Sequence, residues 1–394
     1  MSSPSVRLPK TVHLTNFYHA TSGGVGAFYR ALLRHANTCG REMRLVVPGT
    51  ESGCEPVGAH GRIYQIKAPH PPVGDRRYRI ILPIGRCLRE VHRILETEQP
   101  EILEVSDKYT LPYISGMLRK RLLNGVTRPT EVATSHERMD VNVSAYLIRG
   151  APGKWLSRFY LHFLYVPMFD HHIANSEYTA AELVPAARGL TTPRGIWVCP
   201  MGLDVGFFDS RTRRPHPGKR LLYAGRLAVE KNTHLLVDAL LRLPNDYVLV
   251  IAGAGPQRDW FVNQAATRAY GRIVMKEHFA SREEFAQELA DADVFVHPNP
   301  HEPFGITPLE AMACGVPVVA PCAGGVLSYA NADNAWLSEP TTDAFAAAIE
   351  GVFADAAERE RRVACARLTA LRHDWTVIAQ RYFDLLDTLH RGRK

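Results

Sequence analysis

Short apolar runs alternate with stretches of helical periodicity along the whole chain. This alternation is typical of parallel sheets whose strands are joined by crossover helices. The strands predicted in the first half are Val12–Asn16, Met43–Val47, Arg62–Ile66, Ile102–Val105, Glu131–Thr134, His172–Asn175 and Ile196–Cys199. Those predicted in the second half are Leu221–Ala224, Tyr247–Ala252, Arg272–Met275, Val294–His297 and Val316–Ala320. Helical patterns between them include Gly26–Asn37, Ile84–Glu96 and Tyr178–Val184.

A domain boundary is indicated near Gly202. The stretch Asp209–Gly218 that follows is rich in proline and charge and has no periodicity, which is typical of a surface loop that opens a new domain. We therefore predict an α/β protein with two doubly wound domains, residues 1–202 and 203–374, and an amphipathic C-terminal helix in 375–394. Ligands of such folds bind outside the carboxyl ends of the strands, so we expect the site in a cleft between the domains.

The composition is that of a folded globular protein, with 46% hydrophobic and 22% charged residues. The seven cysteines contain no C-x-x-C pair, so neither a disulfide framework nor a zinc site is supported. The N-terminus lacks the pattern of a signal peptide, and no apolar run reaches the roughly 18 to 20 residues that span a bilayer. We therefore expect a cytoplasmic protein.

The positive charge is concentrated in the first half of the chain. The net charge is +7, and residues 1–210 contain 25 Lys and Arg against 18 Asp and Glu, whereas the remainder contains 22 of each. Basic residues alternate with Ile and Leu around Arg76–Arg93 and Arg119–Arg121. Such a surface could lie on the inner face of an anionic membrane or hold an anionic acceptor, and solvated helix faces would give the same pattern. No nucleic-acid motif accompanies the charge, so nucleic acid is not an expected partner.

The segment from His297 to Glu310 contains the strongest chemical signal. A predicted strand leads into a loop with Glu302, and a helix is predicted to begin near Ile306 and to include Glu310. The first turn of this helix offers the free amide groups of residues 305–307, which favour an anion. Carboxylates on both sides of an anion site suit a nucleotide sugar, which has hydroxyls at both ends and phosphate in the middle. Two solvated carboxylates beside a helix are the alternative interpretation.

Arg226 and Lys231 follow a predicted strand and lie near the start of the next helix. Two cations so close can hold a diphosphate and stabilise the charge that develops as it leaves, although a salt-bridged surface is the alternative. Asp291 and Asp293 imitate the D-x-D metal motif but cap a helix end. Because Arg226 and Lys231 can neutralise the diphosphate without a metal, we expect neither a metal nor another cofactor.

Two features of the first half are weaker signals. The glycines at positions 23, 24 and 26 open a helix after the first strand, so that a ligand could approach the backbone closely. A dinucleotide-binding loop has a similar sequence, but the segment Gly24–Tyr29 lacks the last glycine of the G-x-G-x-x-G motif. His136 directly follows a strand and is expected to point into the cleft, although a lone histidine there is more often structural.

These motifs resemble those of retaining GT-B-fold glycosyltransferases, specifically glycosyltransferase family 4. The Glu302–Glu310 spacing matches the Glu-x7-Glu motif of the family. The blocks that also match, in family order, are Ser22–Gly26, Ala174–Thr179, Cys199–Asp204, Tyr223–Asn232, Ile251–Pro256 and Ala292–Pro298. The resemblance implies two facing Rossmann-like domains, the first for the acceptor and the second for the donor, with a final helix that crosses back onto the first.

The resemblance also implies the site residues. Glu302 and His136 are expected to act on the donor sugar during transfer. The residues expected to bind the donor are Gly24, Arg226, Lys231, Glu302, Phe304, Gly305, Ile306, Thr307 and Glu310. Transfer would retain the anomeric configuration, and we hypothesise a front-face route in which the leaving diphosphate takes the acceptor proton.

The donor and acceptor are left open by the sequence. UDP-sugars are the first expectation and GDP-mannose the second, and the acceptor could be a lipid-linked glycan, a polysaccharide or a small molecule. The alternatives for function are an epimerase or hydrolase of nucleotide sugars, a non-catalytic nucleotide-sugar-binding protein and, more distantly, an NAD-linked dehydrogenase.

Overall fold

The computed structural model describes residues 7–19, 23–71, 78–148, 150–189, 195–209, 211–276, 279 and 281–393. The chain forms two compact units. The N-terminal unit consists of Met1–Met201 with Thr376–Lys394, and the C-terminal unit consists of Gly202–Trp375. Each unit contains one largely parallel sheet with helices, so the predicted α/β class is confirmed.

The N-terminal unit is built on an eight-stranded sheet in the order β3-β4-β2-β1-β5-β6-β7-β8. Its strands are β1 Thr11–Leu14, β2 Met43–Gly49, β3 Gly53–Val57, β4 Gly61–Lys67, β5 Ile102–Val105, β6 Thr130–Ser135, β7 His171–Ala174 and β8 Ile196–Val198. The edge strand β3 is antiparallel to β4, and the other pairs are parallel. The central strands β1, β5 and β6 are buried along their whole length, although they include polar residues such as His13, Glu104 and Glu131.

Helices cover this sheet. They are α1 Gly24–Cys39, α2 Gly85–Glu98, α3 Pro112–Arg119, α4 Met139–Tyr146, α5 Ala151–Tyr160 and α6 Glu177–Ala187. The last turn of α5 continues into a π-helical turn, Leu161–Tyr165, and a 3-10 turn, Val166–Met168. Ser176 caps α6 by accepting a hydrogen bond of 3.0 Å from the backbone amide of Thr179.

The C-terminal unit has a six-stranded parallel sheet in the order β11-β10-β9-β12-β13-β14. Its strands are β9 Lys219–Ala224, β10 Tyr247–Ala252, β11 Ile273–Lys276, β12 Val294–Val296, β13 Val318–Pro321 and β14 Trp336–Ser338. Its helices are α7 Val205–Asp209, α8 His234–Leu240, α9 Arg258–Thr267, α10 Arg282–Ala290, α11 Ile306–Ala313, α12 Thr342–Ala354 and α13 Ala356–Leu371. The strand order reverses between β9 and β12, which pair directly.

The final helix, α14 Trp375–Arg391, packs almost entirely on the N-terminal unit. Arg41 forms an ion pair of 2.6 Å with Asp387, and the hydroxyls of Thr134 and Tyr382 are 2.8 Å apart. These contacts attach α14 to β6 and to the connection between α1 and β2 in the first unit.

Several sequence expectations are completed or limited by the structure. The edge strands β3 and β14 were not predicted. Of the others, Ile102–Val105 and Tyr247–Ala252 have the predicted bounds, and the rest differ by one or two residues at their ends. Within the described residues, no helix is both long and apolar enough to cross a membrane. The basic residues Arg76 and Arg77, and Ser22 of the glycine-rich block, lie outside the described residues.

Candidate active site

Except for Gly24, the predicted donor residues lie in the C-terminal unit, on two neighbouring loops and on the helix α11 that follows the second loop. Arg226 follows β9, and Glu302 follows β12, and these two strands are adjacent in the sheet. The reversal of strand order between them is the place where ligands bind in open parallel sheets. The topology therefore brings both loops to one edge, which the sequence pattern alone could not specify.

Close backbone packing fixes the loop of Arg226. The amide of Gly225 donates to the carbonyl of Ala252 at 3.0 Å, and that of Leu227 donates to Ala254 at 2.9 Å. A Cβ atom at Gly253 would lie 1.9 Å from the carbonyl oxygen of Gly225, so only glycine permits this approach. The Arg226 side chain is 56% exposed, and its guanidinium is 3.7 Å from Glu230. It is therefore held at its base and open to a ligand at its tip.

Lys231 lies in a 3-10 turn, Val229–Lys231, that precedes α8. The next residue, Asn232, has a positive φ of 54° and donates a side-chain hydrogen bond of 3.1 Å to the carbonyl of Pro298. This bond joins the Lys231 turn to the loop after β12. The Lys231 ammonium consequently reaches the Glu302 carboxylate at 2.8 Å.

Glu302 is an ionised, hydrogen-bonded carboxylate. Its Oε2 accepts hydrogen bonds of 2.8 Å from both Lys231 and the side-chain amide of Asn299. Burial would raise the pKa of Glu302, but the charges of Lys231 and nearby His297 and these hydrogen bonds lower it to about 2. Glu302 therefore remains an acceptor for hydroxyl groups over the physiological pH range.

The start of α11 is a group of backbone amides without a side-chain cap. Phe304 is buried against Tyr329, with ring centroids 5.2 Å apart, and the Tyr329 hydroxyl donates to the carbonyl of Gly305. Gly305 occupies the N-cap position, and no side chain caps the helix. Ile306 and Thr307, both half-buried, form the first turn. These amides favour an anion close to Glu302.

A close backbone contact at Gly325 also holds the Glu302 loop in place. The amide of Gly325 donates to the carbonyl of Glu302 at 2.6 Å. A Cβ atom at Gly325 would lie 1.9 Å from the carbonyl oxygen of Pro303. A larger residue at position 325 would therefore displace the loop.

Glu310 is a different carboxylate from Glu302. It lies half-buried within α11, and burial raises its pKa to about 7, although the charge of Arg282 acts in the opposite direction. The two carboxylates of the same motif thus differ in protonation near neutral pH. Glu310 can donate as well as accept a hydrogen bond, as a sugar hydroxyl also can.

His136 belongs to the N-terminal unit, where it directly follows β6. Both of its ring nitrogens are buried and have no hydrogen-bond partner among the described residues. Phe28 packs against the ring edge to face at 5.1 Å, and burial lowers the pKa of His136 to about 4. The imidazole is therefore neutral and retains one donor and one acceptor for a ligand. Gly24, also in this unit, is the first residue of α1.

Sequence reasoning missed the residues that hold these groups in place. They are Asn232, Asn299, Tyr329 and Gly325. His297 was noted only as part of a motif, although its Nε2 is buried without a partner among the described residues and burial lowers its pKa to about 4. Asn299 lies between two prolines in the segment His297–Pro300, a signal that could have singled it out.

The D-x-D pair is occupied by protein partners. Asp291 accepts hydrogen bonds of 2.9 Å from the amide and Nε of Arg214, and Asp293 accepts one of 2.7 Å from the amide of Arg220. Asp293 also pairs with Arg213. Within the described part of the chain, no three His, Cys, Asp or Glu side chains cluster as metal ligands would.

Family profiles match almost the whole chain. Residues 22–207 match the family described as "Glycosyltransferase Family 4", and residues 206–369 match "Glycosyl transferases group 1". A relative from Mycobacterium tuberculosis, named GDP-mannose-dependent alpha-(1-6)-phosphatidylinositol dimannoside mannosyltransferase, is 30% identical over 380 residues, 93% of each chain. A GDP-mannose-dependent alpha-mannosyltransferase of Mycolicibacterium smegmatis is 30% identical over 362 residues, 88% of each chain.

Solved structures show the same fold. Sucrose-phosphate synthase from Thermosynechococcus elongatus aligns with a TM-score of 0.74 at 19% identity, covering 97% of this chain and 100% of that one. Anabaena HepE in complex with UDP and glucose aligns with a TM-score of 0.71 at 18% identity, covering 96% and 100%. The predicted GT-B fold is thereby confirmed. The chain belongs to glycosyltransferase family 4 and is a glycosyltransferase that uses a nucleotide-sugar donor.

Proposed function

We propose that the enzyme transfers mannose from GDP-mannose to a lipid-linked acceptor, with retention of configuration and without a metal. The choice of GDP-mannose over UDP-sugars, which reverses the order expected from the sequence, is supported by relatives that cover about nine-tenths of the chain. Both the M. tuberculosis and the M. smegmatis relatives described above are named GDP-mannose-dependent. The lipid acceptor is supported by the phosphatidylinositol dimannoside in the first of these names.

The observation that carries this proposal is the ion pair of 2.8 Å between Lys231 and Glu302, next to the uncapped start of α11. An ammonium and free helix amides attract a diphosphate, and an ionised carboxylate beside them accepts hydrogen bonds from sugar hydroxyls. The C-terminal unit alone thus presents groups that can bind the diphosphate and groups that can bind the sugar of the donor. The exposed guanidinium of Arg226 adds a second cation for the diphosphate.

The proposed step breaks the bond between the anomeric carbon and the diphosphate oxygen. The acceptor oxygen forms the new bond on the same face of the sugar, and its proton passes to the departing diphosphate. Arg226 and Lys231 stabilise the charge on that diphosphate as it separates. Glu302 and the backbone of residues 304–306 hold the sugar, Glu310 holds the ribose, and the neutral His136 contributes a further contact to the sugar.

Two other functions make different predictions. An epimerase or hydrolase of nucleotide sugars would consume donor without an acceptor and would leave no glycosylated product. A non-catalytic binding protein would bind the donor and turn over none of it. Product analysis with and without a lipid acceptor separates both functions from transfer.

The experiment that tests the donor is a thermal-shift series with GDP, UDP and ADP and their sugars. A ligand at 100 times its dissociation constant stabilises the fold by about 2.7 kcal/mol. We expect GDP and GDP-mannose to raise the melting temperature most. A larger shift with UDP-sugars would contradict the proposed donor.

The experiment that tests the site is the substitution Glu302→Gln. It keeps the size of the side chain but removes the charge, and we expect the transfer rate to fall by about 10²–10³-fold while the fold is retained. Glu360→Gln, on the exposed surface of α13, is the matched control. Near-normal turnover by Glu302→Gln would exclude the proposed role.

A further inference from the structure

The helix α5 and the π-helical turn after it expose a row of aromatic side chains. Trp155, Phe159 and Phe163 are 66%, 46% and 58% exposed. They are spaced four residues apart and therefore lie on one side of the helix. Their rings contact one another in sequence, with centroids 5.7 Å apart for the first pair and 4.7 Å for the second. The row is an ordered feature of the surface in the N-terminal unit.

Aliphatic residues extend this row into one apolar surface. Leu156, Leu164 and Leu122 are 42%, 42% and 63% exposed. Phe163, Leu164 and Leu122 also line a groove of about 420 Å³ between α3 and the turns after α5. We call the six side chains the aromatic face: Leu122, Trp155, Leu156, Phe159, Phe163 and Leu164. Soluble proteins rarely expose a continuous apolar patch unless it binds something.

The two segments that carry the aromatic face bear charge of one sign. The segments 108–130 and 141–169 contain no Asp or Glu. Lys120, Arg121, Lys154 and Arg158 are exposed and form no ion pair with another described residue. By contrast, Arg119 and Arg128 pair with Glu131 and Asp170. The positive charge of Lys120, Arg121, Lys154 and Arg158 is therefore not compensated within the segments that carry the aromatic face.

We propose that the aromatic face docks on the surface of an anionic phospholipid bilayer. Aromatic side chains, tryptophan above all, are favoured at the boundary between headgroups and acyl chains, where the three rings would lie. Lys154 and Arg158 flank the rings and can extend toward lipid phosphates while their stems stay on the apolar surface. The exposed rings and the positive charge beside them thus both favour an anionic bilayer.

A second copy of the chain fits this surface less well. In a two-fold symmetric interface, each patch faces an identical patch. Lys154 and Arg158 would then face a surface of equal positive charge, and no acidic residue of either segment could pair with them. An anionic bilayer supplies the opposite charge without such a partner.

Vesicle flotation with the full-length protein tests the proposal. The vesicles contain phosphatidylcholine alone or phosphatidylcholine with phosphatidylglycerol, and no nucleotide sugar is present, so the outcome does not depend on the proposed donor. We expect binding to the anionic vesicles only. The variant Trp155→Ser/Phe159→Ser/Phe163→Ser should lose binding by about tenfold or more, and Lys154→Glu/Arg158→Glu should lose it most at low salt.

The control carries the same number of substitutions on exposed apolar residues of the C-terminal unit, Tyr270→Ser/Leu368→Ser/Leu371→Ser. It should bind anionic vesicles as the unsubstituted protein does. Circular dichroism and melting temperature verify that each variant is folded. Brominated lipid should quench the tryptophan fluorescence of the unsubstituted protein but much less that of Trp155→Phe.

Three results would overturn the proposal. The first is absence of the unsubstituted protein from the anionic vesicles, and the second is equal binding by the triple aromatic variant and the control. The third is a dimer in solution that the triple aromatic variant converts to a monomer without any vesicle binding, because a second copy would then cover the face.

Discussion

Two lysine–glutamate pairs lie at the carboxyl edges of the two sheets, and they differ in exposure. In the N-terminal unit, the Nζ of Lys108 is 2.6 Å from Glu182, and both side chains are 2% exposed. In the C-terminal unit, the Nζ of Lys231 is 2.8 Å from Glu302, and the side chains are 26% and 17% exposed. The chemistry of the two pairs is the same, but their surroundings are not.

The buried pair is shielded from solvent and bonded within the protein on both sides. Lys108 also donates to the carbonyl of Glu137 at 2.6 Å, and the other oxygen of Glu182 accepts from the amide of Asp140 at 2.6 Å. These bonds lock the loops after β5 and β6 to α6. The Lys231–Glu302 pair is partly exposed, so that a ligand anion can approach its ammonium. Position at the carboxyl edge therefore does not identify a binding group by itself, and exposure decides between structure and function.

The largest expected effect is on the stability of the N-terminal unit. Lys108→Met leaves the buried Glu182 without its counter-charge, and the loss of one partner of a buried pair costs about 3–5 kcal/mol of unfolding free energy. Lys231→Met, at the partly exposed pair, should cost less, because water can solvate the Glu302 carboxylate that is left. Urea denaturation of both variants measures the difference. Equal losses would show that exposure does not separate the two pairs.

The next effect is on catalysis. Lys231→Met should reduce the transfer rate by about 10²–10³-fold, because a fixed cation for the departing diphosphate is lost. Initial rates with saturating donor provide the measurement, and Lys276→Met on the same sheet is the control for removal of one positive charge. If Lys231→Met kept a transfer rate within a factor of a few of that of the unsubstituted enzyme, the Lys231–Glu302 pair would have only a structural role.

The third effect is a pH dependence of stability that distinguishes Glu310 from Glu302. The pKa of Glu310 is about 7 in the fold against an ordinary 4.5, so the folded state keeps a proton that the unfolded state releases between these values. Stability should therefore fall as the pH rises through this interval. One pKa unit corresponds to about 1.4 kcal/mol, and Glu310→Gln should abolish a loss of at least about that size. Denaturation curves at pH 5 and 8 compare the two proteins; an unchanged slope would mean that Glu310 titrates normally.

The smallest expected effect is that of metal removal. Because Asp291 and Asp293 are already paired with arginines, we expect EDTA to change the transfer rate by no more than about twofold, or about 0.4 kcal/mol. If EDTA abolished activity and added Mg²⁺ or Mn²⁺ restored it, a metal would share with Lys231 the stabilisation of the departing diphosphate.

The sequence predicted the secondary-structure elements better than it predicted the surroundings of individual side chains. The strands Ile102–Val105 and Tyr247–Ala252 have the predicted bounds. Tyr247–Ala252 is a continuous apolar run, as expected of a strand buried on both faces. The edge strand β3 was missed because its exposed residues, Gly53–Val57, include a glycine, a glutamate and a proline, which disfavour strands.

The candidate site shows the same limit. Residue type and spacing singled out Glu302 and Lys231, but not their 2.8 Å contact, which depends on the packing of two loops distant in sequence. The different pKa values of Glu302 and Glu310 could not be predicted either, because they depend on burial and neighbouring charge. The aromatic face was missed for a related reason: a stripe at helical spacing predicts burial unless the structure shows that nothing covers it.

The N-terminal unit is assembled from two stretches of chain separated by the whole C-terminal unit, since α14 returns to pack on β6 and α1. During synthesis the ribosome must therefore finish all of the second unit before the first receives its last helix. Until then Phe28, Arg41 and Thr134 lack their partners on α14. Chaperones would meet an unfinished first unit for most of translation, whereas the second is complete almost as soon as it leaves the exit tunnel.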